Sequence, residues 1–558
     1  MNAASPSPSA SQSLSIRGVD VQFPFTPYEC QLTYMTAVIE ALQTSRNALL
    51  ESPTGTGKTL CLLCATLSWR ESLRGEKAAK IDLLAEAKRR EDMMAADETT
   101  TARRLMADVR LHQAELDVGK LPTIIYASRT HSQLHQVMGE LKRTSFARSV
   151  RTTVLSSRQQ TCRHDVVKQI ESGIALKMGC KSLVSKRACK FYNNTDQYLL
   201  DHNHGDGEEE GGATATATAK KTTGAASQVL DIEDLIKIGD HKTVCPYYVS
   251  RGMVSKADVI FLPYNYLIDP KTRAGLGIDW NDAVVIFDEA HNIESVCSGT
   301  ASFDLPITVI AGSVVELGTA VEIMQSGMGD GTDNASKQDR KHVTNMRGMQ
   351  LVLKKLEDII SSYDNSVTKP GEFIVELFRD LRLTDETWQT FEGVIDVAID
   401  VLTEDAIESA VVSRITTTRL STLRDCLGKV FSKTTRVDER DFSGYRVHIH
   451  KEKQEAIGYG IEGIMLPTLS FWCFDPGEGM EALREGNMNI RSILLTSGTL
   501  SPMSSFALEL RTDFPIRLEN PHVIDNKKQV WIGVVPKGPA GVTLNSSFKT
   551  RSDAGYLT

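Results

Sequence analysis

The sequence has little of what several protein classes require. No stretch reads as the roughly 18 consecutive apolar residues that a membrane-crossing helix needs, so no membrane partner is expected. Residues 1–15 are mostly Ser, Ala and Pro without an apolar core, which reads as a disordered tail and not as a signal peptide. Positive charge is not in excess: 63 Lys and Arg face 71 Asp and Glu, for a net charge of -8. The total therefore carries no footprint of nucleic acid, although a local patch can. Ten cysteines without a secretory signal argue for reduced thiols or metal ligation over a disulfide framework. No internal repeat is found.

What is present is an ordinary globular composition, 41% hydrophobic and 24% charged, in a chain of 558 residues. That length predicts about three or four domains. Short apolar runs at Ala48–Leu50, Thr123–Ala127, Asp258–Leu262, Ala283–Phe287, Ile493–Leu495 and Val530–Val535 lack polar alternation. They read as parallel strands covered on both faces. Helical patterns between them make the scaffold α/β. Four stretches interrupt it. Residues 76–117 read as a solvated helical insertion, 204–228 as a disordered low-complexity loop, 327–342 as a polar loop, and 306–464 as a mostly helical inserted domain.

Ser52-Pro53-Thr54-Gly55-Thr56-Gly57-Lys58-Thr59 follows a predicted strand and opens an apolar helix. This is the context a phosphate-binding loop requires. Gly55 and Gly57 let backbone amides turn toward phosphate oxygens, and the helix adds its positive end. Lys58 can reach the β- and γ-phosphates, and the Thr59 hydroxyl can ligate Mg²⁺. Ser52 stands where the general pattern has Gly. Asp288-Glu289-Ala290-His291 directly follows the strand Ala283–Phe287, where α/β ligands bind. There Asp288 would hold Mg²⁺, Glu289 would orient and deprotonate the attacking water, and His291 could sense the γ-phosphate. Together the two motifs predict binding of ATP with Mg²⁺.

Cys162, Cys180, Cys189 and Cys245 fall in one region. Four thiolates can hold an iron–sulfur cluster or a zinc ion, and their spacing does not decide between them. From Lys142 to Lys190 there are twelve Lys and Arg against Asp165 and Glu171 only, which predicts contact with phosphates. Cys61 and Cys64 form a Cys-x-x-Cys on the apolar helix after the phosphate loop and read as core thiols. Cys30, Cys297, Cys426 and Cys473 are isolated, and His448 and His450 alternate as on a strand face.

Taken together, these motifs resemble the XPD-like iron–sulfur group of superfamily 2 DNA helicases, from about Gly18 to Gly538. The resemblance rests also on Tyr126-Ala127-Ser128-Arg129-Thr130-His131-Ser132-Gln133, on Pro263-Tyr264-Asn265-Tyr266-Leu267, and on Thr496-Ser497-Gly498-Thr499-Leu500-Ser501-Pro502. Within the group, Cys189-Lys190-Phe191-Tyr192-Asn193-Asn194, Cys245-Pro246-Tyr247-Tyr248 and Glu519-Asn520-Pro521-His522 are most similar to its telomere-acting branch. The resemblance implies a RecA-like parallel-sheet motor domain with an iron–sulfur insertion domain and a mainly helical arch. It implies a [4Fe–4S] cluster on the four cysteines, adenine reading by Gln31, and contact with single-stranded or forked DNA by Arg129, Thr130 and His131. Ser497, Gly498 and Thr499 would couple hydrolysis to strand movement. The implied activity is ATP-dependent 5′ to 3′ DNA unwinding in the nucleus, in telomere maintenance, DNA repair and recombination control.

On this reading the domains are a first motor part (16–145), a cluster domain (146–255), the acidic-box part (256–305), the arch (306–464), the end of the first motor domain (465–528) and the start of a second (529–558). The later motifs of the group, including its arginine fingers, are absent up to Thr558. The second motor domain is therefore expected to be truncated. An alternative expectation is a module that binds nucleotide, cluster and DNA without unwinding. A third is a zinc-bearing nucleotide-binding protein unrelated to DNA.

Overall fold

The computed structural model describes residues 12–94, 121–170, 173–203, 229–327, 337–408, 418–431, 437–454, 464–484, 488–522, 526–539, 541–545 and 547. The low-complexity loop 204–228, most of the polar loop 327–342, residues 95–117 of the helical insertion and residues 1–11 of the tail lie outside them.

The tail reading is corrected at its end. Gln12–Ile16 (β1) pairs antiparallel with Val19–Phe23 (β2). The turn between them places Arg17 and Gly18 at positive φ, as a two-residue hairpin turn requires. Ile16, Val19, Val21 and Phe23 are buried, which ties the hairpin to the main core.

The main body is a seven-stranded parallel sheet. Its strands are Ala48–Glu51 (β3), Ile124–Ser128 (β4), Thr152–Val154 (β5), Val259–Pro263 (β6), Ala283–Asp288 (β7), Ile490–Ser497 (β12) and Ile516–Glu519 (β13). They run in the order β13-β3-β12-β7-β4-β6-β5, and every neighbouring pair is parallel. Successive residues alternate between two cores. Leu50, Tyr126, Phe261, Ile286 and Leu494 enter one core. Leu49, Ile125, Ile260, Phe287 and Leu495 enter the other. Burial of both faces explains the unbroken apolar runs, and it brings the carboxyl ends of β3, β12, β7 and β4 side by side.

Glu29–Thr44 (α1) and Lys58–Met94 (α2) cover the first face. The apolar helix after the phosphate loop and the predicted insertion are one unbroken helix as far as Met94. Arg70, on α2, reaches Asp258 at 2.7 Å while both side chains are almost fully buried. Burial disfavours the Asp258 charge, but Arg151 and Arg70 outweigh it and hold the carboxyl below its usual range. Removing one partner of such a pair costs about 3–5 kcal/mol.

The inserted arch is not purely helical. Phe303–Pro306 (β8), Val367–Pro370 (β9), Tyr445–Gln454 (β10) and Ile464–Cys473 (β11) form an antiparallel sheet in the order β8-β11-β10-β9. Because β11 pairs with β10 throughout, the arch runs past the expected boundary at residue 464. His448 and His450 lie on β10, stacked on each other, with His448 also stacked on Trp472. The helices Ile307–Gly327 (α3), Lys337–Ser361 (α4), Asp385–Glu408 (α5) and Thr418–Phe431 (α6) pack a separate core on the sheet. Ile307–Ser326 is long and apolar enough to cross a bilayer by length and composition. Ile310, Leu317, Ala320 and Val321 place it in the arch core instead.

The strand reading of Val530–Val535 is corrected as well. No strand forms there, and Trp531, Ile532 and Val534 are 88%, 86% and 88% exposed.

Candidate functional site

The phosphate loop leaves β3 at the carboxyl edge of the sheet. Gly55 and Gly57 take φ of 82° and 77°, which side chains with a Cβ rarely adopt. Within the loop, the Ser52 and Thr56 hydroxyls lie 2.9 Å apart, and Thr56 donates to the Pro53 carbonyl at 2.8 Å. Ser52 therefore takes part in bracing the turn, which gives a physical account of its presence where Gly is usual. Gln31, on α1, donates from Nε2 to the Thr56 carbonyl at 2.8 Å and accepts from the Tyr28 amide at 2.9 Å. Its carboxamide thus grips the loop from the side of α1.

Lys58 opens α2 and is only 9% exposed. Burial lowers its pKa, and the nearby Glu289 and Asp288 charges oppose that shift. Asp288 ends β7 and is also buried, which raises its pKa; the Tyr126 hydroxyl and the Lys58 charge act in the opposite direction. Glu289 sits at φ 60°, ψ 43°, a strained conformation of the kind that clusters at functional sites. His291 Nδ1 lies 2.7 Å from the Ser497 hydroxyl and 3.3 Å from a Glu289 carboxylate oxygen. The Ser52 amide donates to the Ser497 carbonyl at 3.0 Å, and Tyr34 on α1 meets Thr496 at 2.7 Å. Gly498 faces Lys58 and Thr54. The structure thus brings Gln31, Ser52–Thr59, Asp288, Glu289, His291 and Ser497–Gly498 to one edge. Sequence reading overlooked Glu51, whose carboxylate accepts from the Leu500 and Ser501 amides at 2.5 and 2.7 Å.

Arg129 and Thr130 follow β4 and are exposed, and Thr130 caps the helix His131–Lys142. His131 is held at lowered pKa by burial, and its Nδ1 has no partner among the described residues.

The basic region is not one free patch. Lys142 is paired to Asp231 and Asp234, Arg143 to Glu140, Arg151 to Asp258, Arg163 to Asp240 and Lys168 to Asp165. Arg158 differs. Its guanidinium lies 4.0 Å over the Tyr247 ring, and Arg251 lies 4.7 Å from the same ring. Both Nε atoms are buried without a partner, and neither guanidinium has a carboxylate in ion-pair distance among the described residues. Cationic groups beside aromatic rings are the elements of polynucleotide grooves.

Cys162, Cys180, Cys189 and Cys245 line one cavity with His164, Val167, Leu183, Val184, Phe191, Tyr192 and Tyr248, among others. Its lining carries no carboxylate. Burial pushes the Cys245 thiol up to about 12 and raises Cys162 as well. Among the described residues no three His, Cys, Asp or Glu are drawn together as a single-ion site. Cys61 and Cys64 are buried in the main core.

Residues 126–310 match the family described as DEAD_2, and residues 313–476 match the one described as RTEL1 helicase, ARCH domain. The human regulator of telomere elongation helicase 1 is 40% identical over 569 residues, covering 96% of this chain and 43% of that protein. The homolog from Oryza sativa subsp. japonica is 39% identical over 550 residues, covering 97% and 51%. The chain thus spans about half the length of the curated relatives it matches. Among solved structures, an XPD helicase aligns with a TM-score of 0.47 and 15% identity, over 88% of this chain and 62% of that one. A truncated XPD aligns with 0.45 and 16%, over 87% and 98%.

Proposed function

The chain belongs to the regulator of telomere elongation helicase family, and from that premise we propose that it serves ATP-dependent 5′ to 3′ DNA unwinding in the nucleus, in telomere maintenance, DNA repair and recombination control. The observation that carries this reading is the meeting of Lys58, Asp288, Glu289, His291 and Ser497 at one edge of the parallel sheet. Lys58 and the phosphate-loop amides receive the β- and γ-phosphates, and the buried lysine charge acts at close to full strength in a site of low dielectric. Asp288 and the Thr59 hydroxyl hold Mg²⁺, which screens the phosphate oxygens. Glu289 orients the attacking water and accepts its proton. His291 carries the state of that edge to Ser497, Gly498 and Thr499. Gln31 reads adenine from the side of α1.

Single-stranded or forked DNA runs past Arg129, Thr130 and His131, and Arg158 and Arg251 take phosphates beside Tyr247. The four cysteines hold a [4Fe–4S] cluster. A lone zinc ion needs four sulfurs each about 2.3 Å from the metal, and among the described residues no such single-ion site is drawn together. The lack of carboxylates and the nearness of Arg158 to Cys180 suit a group of net negative charge.

A second reading is a module that binds nucleotide, cluster and DNA without unwinding. A tailed-duplex assay decides between the two. ATP-dependent separation of a 5′-tailed duplex supports the motor reading. Salt-sensitive oligonucleotide binding without separation supports the module. Failure to bind single-stranded DNA at all sinks both.

A further inference from the structure

Both carboxylate oxygens of Asp288 are engaged from inside the protein. The Tyr126 hydroxyl donates to Oδ2 at 2.7 Å, and the Glu289 amide donates to Oδ1 at 3.0 Å. The Tyr264 hydroxyl donates to the Asp288 carbonyl. Tyr126 and Tyr264 are 0% and 1% exposed. Beside a carboxylate the phenol acts as the donor. A carboxylate held this way has its plane fixed, and its remaining lone pairs are aimed before any cation arrives. The two tyrosines also lead somewhere. Tyr126 lies on β4, two residues before Ser128, whose hydroxyl is tied to Gln133 at 3.0 Å; Arg129–His131 lie between those two. Tyr264 opens a helical turn whose Tyr266 is close enough to Tyr247, Arg251 and Arg158 for their charges to bear on it.

Packing alone does not require the hydroxyl. The Tyr126 ring lies 5.6 Å from the Phe261 ring, and a phenylalanine would keep that contact. What phenylalanine loses is the one side-chain donor to Asp288 Oδ2 among the described residues.

We propose that Tyr126 is a positioning residue for the metal-holding carboxylate, and that nucleic acid held at Arg129–His131 acts on metal binding at the nucleotide site through its hydroxyl. This rests on the reading of Asp288 and of Arg129–His131 given above. A polynucleotide bound at that segment fixes the end of β4, and with it the position of the phenol. By linkage the effect is reciprocal: metal and nucleotide tighten the oligonucleotide by the same factor by which it tightens the metal.

The test uses the whole chain with Mn²⁺ as the metal, a non-hydrolysable ATP analogue and oligo(dT). Free Mn²⁺ is read by electron paramagnetic resonance, and oligonucleotide binding by anisotropy. In the wild type, oligo(dT) should tighten Mn²⁺ roughly 5-fold or more, with the same factor in the reverse direction. In Tyr126→Phe both factors should fall to near one. Its melting temperature, its oligonucleotide affinity without nucleotide and its analogue affinity without metal should stay close to wild type, which a merely structural role would not allow. Full coupling in Tyr126→Phe, or none in the wild type, overturns the inference. Asp288→Asn separates the two levels. If it binds Mn²⁺ like the wild type, the metal-site reading itself has failed. If it loses Mn²⁺ while Tyr126→Phe keeps full coupling, the positioning inference alone has failed.

Discussion

His291 Nδ1 and the Ser497 hydroxyl lie 2.7 Å apart across the seam between β7 and β12. This side-chain bridge joins the acidic box to the end of β12, and it sits beside the Ser52–Ser497 backbone bond. Replacing Ser497 by Ala removes the bridge and leaves the backbone bond. Nucleotide affinity should then change by no more than about fivefold, the equivalent of one hydrogen bond of about 1 kcal/mol. Stimulation of ATP hydrolysis by single-stranded DNA should be lost. Undiminished stimulation in Ser497→Ala would remove Ser497 from the coupling path.

Lys58 is buried, and on the reading proposed above its charge meets the nucleotide phosphates. Lys58→Ala should weaken ATP by about 2 kcal/mol or more, roughly 30-fold, as for loss of one partner of a buried charge pair. Gln31→Ala should act differently, because its Nε2 holds the Thr56 carbonyl. Its expected signature is a reduced preference for ATP over GTP together with a modest loss of affinity for both. Calorimetric titration of the two nucleotides into each variant gives the answer, and equal ATP affinity in wild type and Lys58→Ala would place the nucleotide elsewhere.

The parts of this architecture that were legible in the sequence share a physical reason. Strands β3, β4, β6, β7 and β12 are buried on both faces, so they stand out as apolar runs, and the phosphate loop and acidic box are local in sequence. What was missed is either marginal or long-range. Ile516–Glu519 alternates between half-buried and exposed positions at the sheet edge, and Thr152–Val154 is only three residues long. Val530–Val535 has the composition of a buried strand but no neighbour to pair with among the described residues. The arch sheet was hidden because β8 and β9 are short and its hairpin strands β10 and β11 carry polar residues on one face. The Tyr126–Asp288 bond joins residues 162 positions apart, and no local pattern announces it.

The four cysteines around one cavity give an expectation that can be read by eye. Protein isolated without oxygen should be brown and contain about four irons per chain. Cys189→Ser should bleach the colour and lower the melting temperature, because the metal holds together segments that have little apolar core of their own. Cys64→Ser should keep the iron, since Cys64 lies in the main core. Stoichiometric zinc in a colourless protein would overturn the assignment.

The arch offers a pH test that is independent of any ligand. Glu316, on α3, reaches across to the start of α6, where its carboxylate accepts from the Leu420 amide at 2.9 Å and, more weakly, from the Arg419 amide at 3.4 Å. Burial raises its pKa from 4.5 to about 7, against the lowering effect of those amides and of the Arg419 charge. The folded state therefore holds a proton that the unfolded state has already released. Between the two pKa values unfolding releases that proton, so stability falls as pH rises, by at most about 1.4 kcal/mol per unit. The contribution is fully present below about pH 4.5, is lost by about pH 7, and is flat above that. Glu316→Gln keeps an acceptor for Leu420 and cannot ionise. Its arch should melt with no such slope between those limits, and at a higher temperature than wild type above pH 7. Melting curves recorded across that range for both proteins decide the matter: parallel pH dependences would show that Glu316 ionises in the folded arch as freely as in water.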